Sequence, residues 1–175
     1  MESVGGESRD GVRVRLEGWG EGDLWLLRRL NSPEMTEHLG GPESEEKLLD
    51  RHRRYLGLDS GRMYRVTLAD SGETVGSIGF WERAWRGGAV WETGWGVLPE
   101  FQGRRLAARA ARAVVQEARA AGGPRWLHAF PSVEHAASNA VCRRAGFTLL
   151  GPVDFEYPKG RWITSNDWRI DLSAG

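Results

Sequence analysis

Alternating apolar and polar residues along the chain predict a series of short strands. Val12–Leu16 alternates apolar and charged side chains, as a half-buried strand does. Tyr64–Leu68 and Thr74–Phe80 flank Asp70-Ser71-Gly72, a sequence typical of hairpin turns. The same pattern predicts four more strands, at Val90–Leu98, Trp126–Phe130, Phe147–Leu150 and Trp162–Leu172.

Apolar residues three and four positions apart predict helices between these strands. Ser44 is suited to cap one helix, and Gly122-Gly123-Pro124 ends the longest one. The predicted helices cover Asp23–Leu30, a piece ending at Leu39, a stretch from Ser44 toward Leu58, about Arg104–Ala121, and Ala136–Ala145. Because no internal repeat or linker interrupts these elements, they predict one α+β domain with a mixed sheet over residues 12–172. A mobile tail is predicted over residues 1–11.

The charge balance and the cysteine count narrow the range of functions. Lys and Arg total 24, as do Asp and Glu, so the chain lacks the basic field of a nucleic-acid-binding protein. Cys142 is the only cysteine, which excludes an intramolecular disulfide and favours a reducing, cytoplasmic setting. No apolar run is long enough to span a bilayer, so we expect no membrane partner. The four histidines share no ligand spacing with a carboxylate or thiol, and we expect no metal.

The start of the long predicted helix has the composition of an anion site. Gln102-Gly103-Arg104-Arg105 lies between a predicted strand and the helix, and it places two arginines where the helix dipole is positive. Cations are mildly repelled there unless an anion lies beside them. A strand, a glycine turn and a helix N-terminus together suit phosphate or pyrophosphate. Solvated surface arginines are the alternative interpretation.

Four polar residues of the shorter helix fall in one sector of about 100° on a helical wheel. They are His135, Ser138, Asn139 and Cys142, and we expect this strip to face a cleft. His135 and Cys142 are about 10 Å apart along the helix axis, which is too far for direct proton transfer between them. The strip therefore does not indicate a cysteine hydrolase.

Three segments together resemble the N-acetyltransferases of the GNAT superfamily, and most of all its ribosomal-protein alanine N-acetyltransferase branch. They are Val97–Ala107, Ser138–Phe147 and Asn31–Glu34, and the similarity extends from about Val12 to Leu172. The resemblance implies a twisted, mostly antiparallel sheet of about seven strands, splayed in the middle to hold CoA and flanked by helices. It also implies acetyl-CoA as the acetyl donor.

The resemblance assigns residues to the CoA site. Val97 and Leu98 would pair their backbone with the pantetheine arm and present an N–H group to the thioester oxygen. The pyrophosphate would lie on the turn, and His135 and Asn139 would face the cofactor from the shorter helix. The residues of the turn are Gln102, Gly103, Arg104, Arg105, Leu106 and Ala107. Two positions depart from the family pattern, since Arg105 replaces a usual glycine and His135 a usual asparagine.

The resemblance also suggests residues for catalysis. Ser138 would protonate or hydrogen-bond the leaving thiolate, with Cys142 as the second choice. For the base there are two carboxylates, Glu92 on a strand and Glu156 beside Tyr157. Either could instead be an ordinary exposed acid.

The expected reaction is acetyl transfer to a primary amine, on a peptide N-terminus or a small molecule. Tryptophans near the central strands leave open an aromatic or bulky acceptor. The two departures from the family pattern also leave open a catalytically weak or inactive domain that binds acyl-CoA as a sensor or interaction module. A homodimer is possible.

Overall fold

The computed structural model describes residues 12–156 and 159–174, so the predicted mobile tail over residues 1–11 lies outside the described residues. Three short 3₁₀ turns, Glu21–Asp23, Glu37–Leu39 and Pro99–Phe101, connect the regular elements. In chain order these elements are β1 Val14–Gly18, α1 Leu24–Leu30, α2 Glu45–Leu56, β2 Gly61–Leu68, β3 Thr74–Trp85, β4 Gly88–Val97, α3 Leu106–Ala121, β5 Trp126–Ala129, α4 Ala136–Arg144, β6 Thr148–Glu156 and β7 Trp162–Asp171.

The seven strands form one open sheet in the order β1-β2-β3-β4-β5-β7-β6. All neighbours are antiparallel except β4 and β5, which run parallel and are connected by α3. This arrangement confirms the predicted α+β class and its mixed, mostly antiparallel sheet. None of the helices in the described part of the chain has the length and apolarity needed to cross a membrane.

Local signals in the sequence account for most element boundaries. The Ser44 hydroxyl accepts a hydrogen bond from the Lys47 N–H group, as predicted for the cap of α2. The β2–β3 hairpin closes at Gly72, whose φ of +76° is one that glycine adopts without strain. Strand β3 runs five residues beyond its predicted end at Phe80, because a two-residue turn at Arg86-Gly87 continues its pairing with β4. Both turn residues have positive φ, the geometry of tight hairpins, although Arg-Gly is a weak sequence signal for it.

The core lies between α3 and one face of the central strands. Small residues of α3 are fully buried there, which brings the helix close to the sheet. The buried face of α3 includes Ala108, Ala111, Val114, Val115 and Ala118. Ile78, Phe80 and Trp91 lie opposite from β3 and β4, together with Leu127 of β5. The other sheet face is thus left for α1, α2 and the cleft.

Candidate active site

The sheet opens between its two parallel strands. Strand β4 pairs with β5 only from Trp91 to Thr93. After Ala129 the chain turns toward β7, where Asn166 donates its N–H to the Pro131 carbonyl at 2.8 Å. The last four residues of β4, Gly94–Val97, therefore have no partner strand on that side within the described part of the chain. This opening corresponds to the splay that the family resemblance implies.

Backbone directions in β4 decide which groups face the opening. The Leu98 N–H donates to the Val75 carbonyl of β3 at 2.8 Å, so it is not available to a ligand. Polar groups of neighbouring residues in an antiparallel pair point to opposite sides. The Val97 N–H and carbonyl therefore point into the opening. Of the two predicted backbone contacts, the structure leaves the Val97 N–H available, whereas the Val97 carbonyl accepts from the Gln102 side chain and the Leu98 N–H is used within the sheet.

The turn that follows β4 leads directly into α3. Gly103 has a φ of +82°, and the space around its Cα is open. Arg105 is the N-cap of α3 with φ 58° and ψ 23°, a left-handed conformation that costs a non-glycine residue about 1–2 kcal/mol. The family pattern has glycine at this position for a physical reason, and Arg105 adopts the same backbone at some cost in strain.

The first turn of α3 is open toward an anion. The initial N–H groups of a helix have no acceptor within it, and no side chain caps those of α3. Arg104 and Arg105 are both exposed, and in the described part of the chain no carboxylate pairs with either of them. This end of the helix therefore combines free N–H groups with two arginines that no carboxylate of the described residues neutralises.

The Gln102 side chain is hydrogen-bonded within the protein and stabilises the turn. Its Nε2 donates to the Val97 carbonyl at 3.0 Å and approaches the Met35 sulfur at 3.4 Å. The side chain therefore links the end of β4 to the segment between α1 and α2. Leu106 is buried in the core and Ala107 is half-buried, so both can contribute only their backbone to the turn.

Asn139 on α4 has its hydrogen-bonding capacity filled by the protein. Its Nδ2 donates to the carbonyls of Ser132 and His135, each at 2.9 Å. Its Oδ1 accepts from Asn166 Nδ2 at 2.9 Å and from Trp168 Nε1 at 2.8 Å. An amide with two donors and two lone pairs has nothing left for a ligand. Asn139 therefore fastens the start of α4 to β7.

The expectation that the polar strip of α4 faces a cleft is wrong for Asn139 and Cys142. Both side chains are on the buried face of the helix, and Cys142 has no exposed surface. Burial raises the pKa of the Cys142 thiol to about 12. In this position the thiol is a small apolar group within the hydrophobic core and does not face a substrate.

His135 and Ser138 are half-buried and remain closer to the surface. The His135 ring stacks on His38, from the Glu37–Leu39 turn, with centroids 4.3 Å apart and planes at 17°. Burial lowers the pKa of His135, the nearby His38 lowers it further, and Glu37 opposes the shift. His135 therefore joins α4 to the segment between α1 and α2.

Glu92 lies at the apex of the opening, one residue before the last pair between β4 and β5. Its Oε2 accepts from Trp81 Nε1 at 2.6 Å and its Oε1 from Arg83 Nη1 at 2.7 Å. The Trp81 ring extends over Gly94, where a Cβ atom would lie 3.2 Å from it. Because a carboxylate has about four acceptor positions, Glu92 can accept further hydrogen bonds.

Three aromatic rings surround the head group of Arg83. Its Cζ lies 4.6 Å from the Phe155 ring centroid, 5.4 Å from that of Phe130 and 5.6 Å from that of Trp85. The rings contact one another at centroid distances of 4.8 to 5.2 Å. We call Trp85, Phe130 and Phe155 the Arg83 cage.

Glu156 is separate from this cluster. It is exposed at the end of β6, and its Oε1 accepts a hydrogen bond from the Gly160 N–H at 2.7 Å. Successive side chains of a strand point to opposite faces, and its neighbour Phe155 contacts the cage. The structure thus brings Glu92 to the apex of the opening and directs Glu156 away from the cage.

The cage rests on a buried pair of His128 and Asp167, which the sequence pattern does not predict. His128 Nδ1 lies 2.6 Å from Asp167 Oδ1, and both side chains are at least 97% buried. The His128 ring stacks on Phe130, with centroids 5.5 Å apart and planes at 20°. Arg83, His128 and Asp167 come from three strands, and only the strand register brings them together. The alternation of Arg83 with Trp81 and Trp85 was the one available signal.

Comparison with protein families identifies the class of protein that this cleft and turn define. Residues 13–148 match the family described as the acetyltransferase (GNAT) domain. The match covers more than half of the chain, so the protein belongs to the GNAT acetyltransferase family and is an N-acetyltransferase. Comparison with curated protein sequences gives no significant match.

Solved structures show the same fold at low sequence identity. A Salmonella typhimurium acetyltransferase that modifies the N-terminal serine of ribosomal protein L7/L12 is 21% identical, with a TM-score of 0.73 over 91% of this chain and 95% of that one. Spermidine N-acetyltransferase from Vibrio cholerae, in complex with CoA and spermine, is 18% identical, with a TM-score of 0.76 over 92% and 96%. An aminoglycoside acetyltransferase in complex with CoA is 22% identical, with a TM-score of 0.70 over 94% and 96%.

Proposed function

We propose that the protein transfers an acetyl group from acetyl-CoA to a primary amine by direct attack within the opening between β4 and β5. The observation that carries this proposal is the junction of β4 and α3. There the unpaired edge of β4 runs into a helix N-terminus with open N–H groups and with two arginines that have no carboxylate partner among the described residues. Neighbours of this fold include CoA complexes, which supports the same assignment.

The residues at this junction fit CoA. The turn at Gly103 and the start of α3 suit a pyrophosphate, because N–H groups and the helix dipole both favour negative charge there. Arg104 and Arg105 would add charge-assisted hydrogen bonds to phosphate oxygens. Acetyl-CoA would supply the acetyl group as an activated thioester. The Val97 N–H is the backbone donor we assign to the arm of the cofactor.

We assign Glu92 as the general base. An amine arrives protonated and must lose a proton before it attacks the thioester carbon. Glu92 lies at the apex of the opening and keeps acceptor capacity on each oxygen beyond its bonds to Trp81 and Arg83. Glu156 remains the alternative, although its carboxylate is exposed at the far end of β6.

Ser138 is the residue we assign to the leaving thiolate. A departing thiolate needs a proton or a hydrogen bond, and a half-buried hydroxyl can give either. Cys142 was the second choice for this role, but its buried thiol argues against it. His135 remains a candidate for cofactor contact. Asn139 makes all its hydrogen bonds within the protein, so it affects the site only by positioning α4.

Acetyl-CoA consumption against a panel of amines tests the function. The panel should include N-terminal peptides, polyamines, aminoglycosides and amino acids, and calorimetry should measure CoA binding in parallel. We expect CoA binding and turnover of at least one amine class. CoA binding without turnover of any amine would instead support an acyl-CoA sensor, and no CoA binding at high micromolar concentration would exclude both functions.

A further inference from the structure

We propose that the Arg83 cage is a cation-binding subsite of the acceptor site, and that Arg83 fills it as an internal ligand when no acceptor is bound. The ligand would be an amine that carries a second positive group, a guanidinium or an ammonium. This inference rests on the proposed acetylation of an amine and names the class of acceptor.

The cage contains the parts that bind an organic cation. Three aromatic faces lie 4.6 to 5.6 Å from the guanidinium carbon of Arg83, within the range of cation–π attraction. The Glu92 carboxylate, 2.7 Å from Arg83 Nη1, supplies the opposite charge. A guanidinium group already occupies this arrangement, so the structure itself shows which chemistry fits.

The walls of the cage do not depend on Arg83. Trp85 ends β3, Phe130 follows β5 and Phe155 is in β6. The rings pack on one another, and Phe130 also rests on the buried pair of His128 and Asp167. Removing the Arg83 head group would therefore leave a preformed aromatic site with one negative charge.

Arg83 is bound incompletely in the cage. A guanidinium group has five N–H donors, and among the described residues only Glu92 Oε1 accepts from Arg83. Its Nε atom is buried without a hydrogen-bond partner in the described part of the chain. The side chain is also 35% exposed, so it has a route to solvent. A ligand cation that makes better hydrogen bonds can replace it.

The position of the cage connects it to the acceptor. Phe130 directly follows the last residue of β5 that pairs with β4, and Glu92 precedes the end of the same pairing. The cage therefore borders the apex of the opening, on the sheet face opposite α3. An acceptor with its reactive amine at the apex can place a second cation in the cage.

The first test measures binding and does not require activity. The probe is methylguanidinium, titrated by calorimetry into wild-type protein, Arg83→Ala and the double variant Arg83→Ala/Glu92→Gln. We expect millimolar binding to Arg83→Ala only, because the wild-type site is filled and the double variant lacks the carboxylate. Arg86→Ala is the matched control, since Arg86 contacts Trp85 at 5.2 Å from outside the cage. Lack of binding to folded Arg83→Ala, or equal binding to Arg86→Ala, would overturn the proposal.

The second test compares two acceptors with the same reactive amine, 4-aminobutylguanidine and butylamine. We expect the ratio of their kcat/KM values to rise about tenfold in Arg83→Ala, which corresponds to about 1.4 kcal/mol of binding in the emptied cage. Any effect of Arg83 on Glu92 chemistry cancels in this ratio. An unchanged ratio would refute the acceptor role. If neither amine is acetylated by any variant, the proposed function fails separately, and methylguanidinium binding still decides whether the cage is a cation site.

Discussion

The two arms of the cleft differ in how their polar groups are used. On the arm formed by β4 and α3, the Val97 N–H and the first N–H groups of α3 have no partner in the described part of the chain, and Arg104 and Arg105 have no carboxylate partner there. On the arm formed by β5 and α4, Asn139 makes four hydrogen bonds within the protein, and His128 is paired with Asp167. The first arm is open to a ligand, whereas the second is held in one position by its own contacts. We therefore expect substitutions on the first arm to change binding and chemistry, and substitutions of the internally paired residues on the second arm to change stability.

The largest effect on activity is expected for Glu92, on the arm formed by β4 and α3. We expect Glu92→Gln to lower kcat about 100-fold or more, because an amide cannot accept the proton of the amine. Steady-state acetyl-CoA consumption at saturating amine measures this effect. Glu156→Gln is the matched control, and we expect it to change kcat by less than about threefold. Equal losses in both variants would contradict the assignment of Glu92 as the sole base.

Asn139 tests the arm formed by β5 and α4. Asn139→Ala leaves the Trp168 indole N–H and the Asn166 amide without their acceptor, which should cost about 2–3 kcal/mol of unfolding free energy. Cys142→Ala, on the same buried face of α4, is the control and should cost about 1 kcal/mol for the small cavity. Denaturant unfolding measures both values. Near-wild-type kcat per folded molecule is expected in Cys142→Ala, and a large loss of kcat there would support the role of Cys142 as an acid.

The same difference between the arms explains how much could be predicted from the sequence. The turn proposed for CoA depends mainly on its backbone, so one short stretch of sequence, Gln102–Leu106, indicates it without knowledge of the fold. The group formed by Glu92, Arg83 and the Arg83 cage depends on side chains from four segments. Only the strand register brings these segments together. The burial of Cys142 was missed for a related reason, because a helical wheel groups residues by angle and does not show which side faces the core.

Arg105 tests the arm formed by β4 and α3 at a single residue. Arg105→Ala removes the phosphate contact proposed above and should weaken CoA binding about five- to tenfold, an effect that decreases as salt is added. Arg105→Gly should weaken CoA binding equally. The glycine variant should also be about 1 kcal/mol more stable than the alanine variant, because only glycine adopts the φ of 58° without strain. Calorimetry with CoA and thermal unfolding measure the two effects. Unchanged CoA affinity would show that Arg105 is a solvated residue.

The smallest expected effect is a dependence of stability on pH. It comes from the stack of His135 on His38, which joins the arm formed by β5 and α4 to the segment between α1 and α2. Burial and the nearby His38 lower the pKa of His135 in the folded protein below its ordinary value of 6.5. Below that value the unfolded chain binds a proton that the folded protein binds less readily, so stability decreases as the pH falls. Thermal unfolding between about pH 7.5 and about pH 5 should show this loss, and His135→Asn should reduce its slope. His38→Asn removes only one of the two causes and should reduce the slope less. An identical slope in wild type and His135→Asn would mean that this contact between the arm and the α1–α2 segment does not depend on the charge of His135.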